Sequence, residues 1–321
     1  MELSADDVGE IKSGIDALRD EVGRVFIGSP SVIDHLMVAL LARGHVLLEG
    51  VPGVAKTTLA KAFARGLGVS VNRIQFTPDL LPADITGTYV LSPKDGAFSF
   101  RHGPVFANLV LADEVNRAPP KTQAALLEAM QEQQVTAEGE TFRLPDPFMV
   151  VATQNPIDLE GTYPLPEAQI DRFLIHLDIG YPDLADEVVM LKAHHAEPVE
   201  ARAVIDGDTV RRMQDIARRV FVEDDLYEYA VGLTDFTRHD SRVMLGASPR
   251  ATLSLIQAAK AAAVLAGRAY VTPDDIRMLV RPVLAHRLVL FDEASGDVGA
   301  REAVVTMAVE RVSYRKAVRP V

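Results

Sequence analysis

Cysteine is missing from all 321 residues. That removes disulfides and thiolate metal sites, and it fits a reducing compartment. No apolar run approaches the length that spans a bilayer, and Glu2, Asp6 and Asp7 stand where a secretory leader would be basic. A cytoplasmic location is the expectation. Internal repeats are not evident, and the alanine-rich stretch 258–266 is periodic, as a close-packed helix would be. An excess of positive charge is lacking too: the net charge is −12, and residues 1–180 carry −10 of it. Nucleic-acid affinity comes largely from phosphate neutralisation, so an acidic core makes nucleic acid an unfavoured partner, local basic patches aside. What is present is a globular composition, 48% hydrophobic and 24% charged, long enough for two domains.

The chemistry starts at residues 44–58. Val46, Leu47 and Leu48 read as a short buried strand, glycines punctuate the turn after it, and a helix starts near Thr57 and Thr58. Strand, turn and helix together make a phosphate cradle. Gly50 and Gly53 let backbone N–H groups of the loop Gly50, Val51, Pro52, Gly53, Val54 and Ala55 curl around a polyphosphate, and the helix N-terminus adds partial positive charge. Lys56 suits the β- and γ-phosphates and the Thr57 hydroxyl suits Mg²⁺. Ala55 departs from the general pattern, which has glycine there. An ordinary glycine-rich turn is the alternative.

In chain order, Ile11, Ile15, Leu18 and Val22 mark one face of a helix over 4–24, and Ser29-Pro30 starts a second that runs to Leu41. The break between them carries Phe26, suited either to covering an adenine ring or to core packing. A second strand spans 73–76. Residues 77–103 form a long irregular stretch with a hairpin signal at Lys94-Asp95-Gly96. Residues 108–114 read as a buried strand ending in Asp113 and Glu114, at the sheet edge where open α/β folds bind ligands. Downstream of a phosphate loop, the first acid suits Mg²⁺ and the second suits activation of water. The other reading is a strand ending in solvated acids. A helix over 122–134, a hairpin at 135–142 and a buried strand from Phe148 to Asn155 follow. Asn155 can orient water beside a γ-phosphate or simply open an Asn-Pro turn. Asp171-Arg172 reads on its own as a surface pair. Gly180 marks a boundary, a connecting helix covers 183–195, and helices follow at 208–220, 224–235, 249–265, 273–284 and 300–312. His194 and His195 are adjacent on a helix and point in different directions, which argues against a shared metal.

Taken in order, Gly50 to Thr57, Leu109 to Glu114, Ala152 to Pro156 and Asp171-Arg172-Phe173 resemble the motifs of AAA+ ATPases. The stretches 73–82, 116–123, 161–169 and 246–250 resemble more narrowly the MoxR family, in which Ala55 has counterparts. The resemblance covers about residues 20–290. It implies an α/β fold: a P-loop core at 1–180 with a parallel five-stranded sheet flanked by helices, a connection at 181–205, and an all-helical lid at 206–321. Residues 77–103 would be a helix-2 insert and 133–143 a pre-sensor hairpin. It further implies Mg²⁺-dependent ATP hydrolysis with Asn155 as sensor 1, Arg172 as an arginine finger for a neighbouring subunit and Arg250 as sensor 2. Gln75 is placed to restrain Glu114. A hexameric ring, a von Willebrand factor A-domain partner and a protein substrate to be remodelled complete the expectation. A nucleic-acid motor and a nucleotide switch with little hydrolysis are the alternatives, the switch disfavoured by Glu114, Asn155, Arg172 and Arg250 all being present.

Overall fold

The computed structural model describes residues 5–50, 56–91, 93, 96–155, 162–194, 199–291 and 299–314. Among them, β1 (Val46–Gly50), β2 (Val71–Gln75), β5 (Leu109–Asp113), β8 (Met149–Gln154) and β9 (Ile175–Ile179) form one sheet in the order β2-β5-β8-β1-β9. All four pairings are parallel. The pleat sorts the side chains by period two. Val46, Leu48, Leu109, Leu111, Met149, Val151 and Ile175 join an apolar cluster with α1 (Ala5–Gly23), α2 (Pro30–Leu41) and α3 (Lys56–Gly66). On the opposite face, Leu47, Val110, Ala112, Val150 and Ala152 pack with Phe76, Phe173 and residues of α5 (Pro120–Glu132). Burial on both faces is why β5 and β8 read as unbroken apolar runs and not as alternating ones. In α1, Ile11, Ile15, Leu18 and Val22 are all buried, as the helical spacing requires.

Parallel strands need crossovers, so the chain leaves each strand at the same edge of the sheet. That edge collects the residues after β1, β5 and β8. The opposite edge collects the residues that precede β1 and β9.

Two inserts decorate the core. Between β2 and β5 lie α4 (Pro82–Thr86) and the hairpin β3 (Gly87–Leu91) with β4 (Phe98–His102); between α5 and β8 lies the hairpin β6 (Gln134–Ala137) with β7 (Glu140–Arg143). The two hairpins touch. Phe100 stacks on Phe142 with ring centres 4.1 Å apart, and the Tyr89 hydroxyl donates to Glu140 Oε2 at 2.7 Å. Lys94 and Asp95 lie outside the described residues. The helix expected at 122–134 starts at Pro120 and stops before Gln133, which takes a φ of 51°. Proline costs nothing in a first helical turn, where its missing N–H would go unbonded anyway.

After the one-turn helix α6 (Glu167–Ile170), the C-terminal part holds α7 (Leu184–His194), α8 (Gly207–Arg219), α9 (Asp224–His239), α10 (Pro249–Leu265), α11 (Pro273–Leu284) and a last helix, Ala300–Arg311. Side-chain caps begin three of these. Asp206 accepts from Thr209 N at 2.8 Å, Ser248 accepts from Ala251 N at 3.2 Å, and Thr272 with Asp275 forms a capping box. The region is not entirely helical: β10 (Val243–Leu245) pairs antiparallel with β11 (Val289–Leu290). Segments this short show no period, so the pairing was not legible in the sequence. The lid does not stand apart, either. α8 and α10 pack on α2, and α1 packs on α10, within one continuous apolar cluster.

Candidate active site

The C-terminal edge of the sheet brings Lys56, Thr57, Asp113, Glu114 and Asn155 together. Lys56 opens α3 and donates from Nζ to Gly50 O at 2.7 Å and to Gln154 O at 3.4 Å. Burial lowers its pKa, and the charges of Asp113, Glu114 and Glu49 oppose that shift. Gly50 has no room for a side chain, because a Cβ there would run into Ile179 O on β9. Val51, Pro52, Gly53, Val54 and Ala55 lie outside the described residues, as do Pro156, Gly161 and His195. Thr58, one helical step beyond Thr57, sits in the first turn of α3.

Asp113 is tightly held. Its Oδ1 accepts from Thr153 Oγ1 at 2.6 Å, and its Oδ2 accepts from Arg73 Nη2 at 2.7 Å, Arg73 Nε at 3.1 Å and Thr57 Oγ1 at 3.4 Å. Burial pushes its pKa up, but the bonds from Thr153 and Arg73, Arg73's charge and the Thr57 bond outweigh this and hold it below the usual carboxylate value. Thr57 Oγ1 and Asp113 Oδ2 are adjacent hard oxygen donors, the set that Mg²⁺ takes. Glu114 follows with a φ of 57°, a left-handed conformation uncommon outside glycine. That turn separates its carboxylate from Asp113's while its N–H donates to Thr153 Oγ1 at 2.9 Å. Two donors then meet Glu114 Oε2 at 3.0 Å, Gln75 Nε2 and Arg117 Nη1. Gln75 in turn accepts from Arg73 Nη2 at 2.6 Å, so one strand residue restrains each acid. Asn155 is 6% exposed, and its backbone oxygen accepts from Asn116 Nδ2 at 3.3 Å.

A cavity of about 600 Å³ adjoins this edge, lined by Phe26, Ile27, Gly28, Ile179, Gly180 and Tyr181 among others. Phe26 is 5% exposed, so it packs into the core and also forms part of the wall. The volume is in the range of small-ligand pockets in general. Among the described residues, Glu49, His176 and Asp178 at the β1–β9 edge form a grouping with spacing suited to a metal.

Arg172 and Arg250 are elsewhere. Val46 is level with Ile175 and Gly50 with Ile179, so Arg172, which precedes β9, sits at the edge away from the phosphate loop. The strand between spans roughly 13–16 Å. Arg250, in the first turn of α10, lines the same cavity as Arg172, about 290 Å³ in volume, together with Arg43 and Arg287. One edge of the sheet therefore gathers Lys56, Thr57, Asp113 and Glu114, and the other a cluster of fixed positive charges.

Residues 45–175 match the ATPase family associated with various cellular activities (AAA), and residues 235–307 match the AAA lid domain. Chaperone MoxR1 of Mycobacterium tuberculosis is 45% identical over 91% of this chain and 80% of its own length. Protein MoxR of Methylorubrum extorquens is 35% identical over 84% of this chain and 86% of its own. The chain belongs to the MoxR family of AAA+ ATPases. YeaC of Bacillus subtilis, an uncharacterised protein, is 46% identical over 94% of this chain and 95% of its own. A crystal structure of a Cytophaga hutchinsonii protein, 37% identical, superposes with a TM-score of 0.91 and covers 97% of this chain and 98% of that one.

As a MoxR-family ATPase the chain places further arginines beside the residues to which the sequence assigned roles. Arg73 and Arg117 contact the two acids, and Arg43 and Arg287 share the arginine cavity. Arg73 left a trace in the sequence: with Gln75 it makes two same-face polar residues in a strand whose register puts Gln75 level with Asp113. Arg287 left only a basic pair, with His286, inside an apolar run.

Proposed function

We propose that this MoxR-family ATPase hydrolyses ATP with Mg²⁺ at sites completed between subunits of a ring, and uses the cycle to remodel protein targets. The observation that carries the reading is the division just described: Lys56, Thr57, Asp113, Glu114 and Asn155 at one sheet edge, Arg172 and Arg250 in one cavity at the other. A strand's length separates Arg172 from its own phosphate loop. In this reading Arg172 and Arg250 both serve the nucleotide of a neighbouring subunit.

Each residue then has a task. Lys56 neutralises the β- and γ-phosphates, and the loop 50–55 cradles them with backbone N–H groups. Thr57 and Asp113 would hold Mg²⁺, which when bound draws charge from the phosphate oxygens. Glu114 orients the attacking water and takes up its proton, and Asn155 fixes that water's position. Phe26 and the wall at 179–181 receive the base. Arg172 and Arg250, fixed charges with forked donor sets, stabilise charge developing on the transferred phosphoryl group.

Remodelling is the task in keeping with the relative named Chaperone MoxR1. A cytoplasmic location belongs to the same reading, since ATP and Mg²⁺ are supplied there. So does the von Willebrand factor A-domain partner implied by the family motifs. The acidic core weighs against a nucleic-acid motor.

The test uses the Glu114→Gln protein, which keeps the shape of the side chain and loses its basicity. It is expected to bind ATP, to lose turnover by roughly 10²-fold or more, and to retain protein targets in an ATP-dependent pull-down. Turnover within a few-fold of wild type would move the water-activating role to another residue. Salt-sensitive retention of DNA, without protein targets, would support the motor.

A further inference from the structure

Arg172 is flanked in the chain by Asp171 and Phe173, and one lid side chain holds both. Arg287 ends the short turn Ala285–Arg287 that follows α11. Its Nη2 donates to Phe173 O at 2.9 Å, its Nε donates to His286 Nε2 at 3.3 Å, and Nε also lies 3.4 Å from Asp171 Oδ1, a charge contact without a hydrogen bond. The side chain is 3% exposed, against 27% for Asp171, and its Nη1 is buried with no hydrogen-bond partner. Burial lowers the guanidinium pKa to about 10, with Asp171 opposing the shift, so the group is charged at neutral pH. Beside it, burial and the Arg287 charge push the His286 pKa well below its usual value, leaving a neutral ring whose Nε2 is 3.1 Å from Phe173 O.

A buried guanidinium with an unused donor is an expensive way to fill space. Apolar residues of similar volume do so at equal or lower cost. Arg287 instead joins the lid to the three-residue segment whose middle member is Arg172. It also sets its charge beside the carboxylate of Asp171, which lines the same cavity as Arg172 and Arg250. Left unpaired, that carboxylate would draw one of those arginines onto itself and cancel its charge.

We propose that Arg287 is a positioning residue: by donating to the carbonyl after Arg172 and setting its charge beside the carboxylate before it, Arg287 aims Arg172 and ties its reach to the lid of its own subunit. The inference rests on the reading that Arg172 serves a neighbour's nucleotide. Because the grip crosses from lid to core, any lid movement is passed to Arg172 through this side chain.

The experiment is a double-mutant cycle on the assembled full-length protein, with Arg287→Ala, Arg172→Ala and the double variant. ATP affinity is measured by calorimetry and turnover at saturating ATP and Mg²⁺. Arg287→Ala is expected to lower kcat by roughly 10- to 10²-fold, the scale of a misaimed group, with ATP affinity within about twofold of wild type. The double variant is expected to be no slower than Arg172→Ala alone, since two residues acting through one contact do not add. Arg287→Lys can pair Asp171 but lacks the fork that also reaches Phe173 O, and should recover part of the loss. Should Arg287→Ala fail to fold, Asp171→Asn loosens the same grip from the more exposed side and should show the same non-additivity. Additive losses in the cycle would make Arg287 a structural residue and overturn the proposal. So would wild-type turnover in Arg287→Ala or, where that variant does not fold, in Asp171→Asn. If Arg172→Ala itself turns over normally, the reading of Arg172 fails first and the positioning role falls with it. If Arg172→Ala is slow and Arg287→Ala is not, only the positioning role is lost.

Discussion

The two edges of the central sheet are built on opposite principles. At the phosphate-loop edge the acids have partners within the chain, Asp113 with Arg73, Glu114 with Arg117 and Glu49 with the His176 ring, and Lys56 is held by backbone carbonyls. Across the sheet, Arg43, Arg172, Arg250 and Arg287 line one cavity whose single acid is Asp171, with Arg43 also paired to Asp146 at 3.0 Å. A matched edge can hold reactants in place. An unbalanced one calls for an anion from outside, and the neighbour's nucleotide is the anion proposed here.

The strongest way to break the first edge is Lys56→Ala. A polyphosphate in the loop would lose its main cation and keep the acids beside it, a loss on the order of 2–5 kcal/mol or more. ATP binding by calorimetry is expected to fall at least tens-fold and turnover to vanish. Near-wild-type affinity would remove Lys56 from the site.

Breaking the second edge should leave binding intact and slow the chemistry. Arg172→Ala is expected to bind ATP normally and to hydrolyse it on the order of 10³-fold more slowly, with Arg250→Ala changing in the same direction. The comparison sharpens in mixtures, because a Lys56→Ala subunit keeps its arginines and can lend them to an Arg172→Ala neighbour. Partial recovery of activity is the expected result. No recovery in rings shown by light scattering to contain both variants would rule out action in trans.

The two edges also differ in how much of them the sequence disclosed. Lys56, Thr57, Asp113, Glu114 and Asn155 follow short apolar runs, and a run ending in polar residues already implies a strand with chemistry at its end. The parallel connections then gather these ends without further information. At the other edge the partners are residues that no local pattern links: Arg43 before β1, Arg250 at a helix start, Arg287 after the last turn of α11. Their convergence depends on how α10 and α11 pack against the core, which is tertiary information. The lid helices themselves were legible through Ser248-Pro249 and Thr272-Pro273, whereas β10 and β11 were too short to show a period. Arg73 lies between these cases, since its role follows from strand register and that register is set by the sheet.

The arginine edge should also be the acid-sensitive one. His45, which precedes β1, is buried with Nδ1 accepting from Val150 N at 3.0 Å and Nε2 3.0 Å from Met130 O. Only the neutral ring with hydrogen on Nε2 satisfies both partners. Burial lowers its pKa from 6.5 to about 4, with the Met130 bond opposing. The unfolded chain therefore binds the proton more readily, and the stability His45 contributes is full above pH 6.5 and lost as pH falls toward 4. Between pH 7.5 and 5 the loss is about 2 kcal/mol, measurable by urea unfolding. His286 shifts in the same direction. A His45→Gln protein should show a shallower pH slope, and an unchanged slope would assign the acid sensitivity to other groups.

The smallest effect expected is at Gln75, and its sign is informative. Gln75 Nε2 donates to Glu114 Oε2 at 3.0 Å, and Arg117 meets the same oxygen. If these bonds hold the carboxylate away from the attacking water, loosening one of them should speed hydrolysis. A single hydrogen bond to a charged group is worth roughly 1.5–3 kcal/mol, and Arg117 retains its share. Gln75→Ala should therefore raise basal turnover by about 2- to 5-fold, leaving ATP affinity unchanged. The variant also frees Arg73 Nη2 from Gln75 Oε1, but Arg73 keeps both of its bonds to Asp113. Should turnover fall instead, Gln75 would be aligning Glu114 for the reaction. The matched edge would then be poised for chemistry in the isolated subunit, with the two arginines of a neighbour still to be supplied.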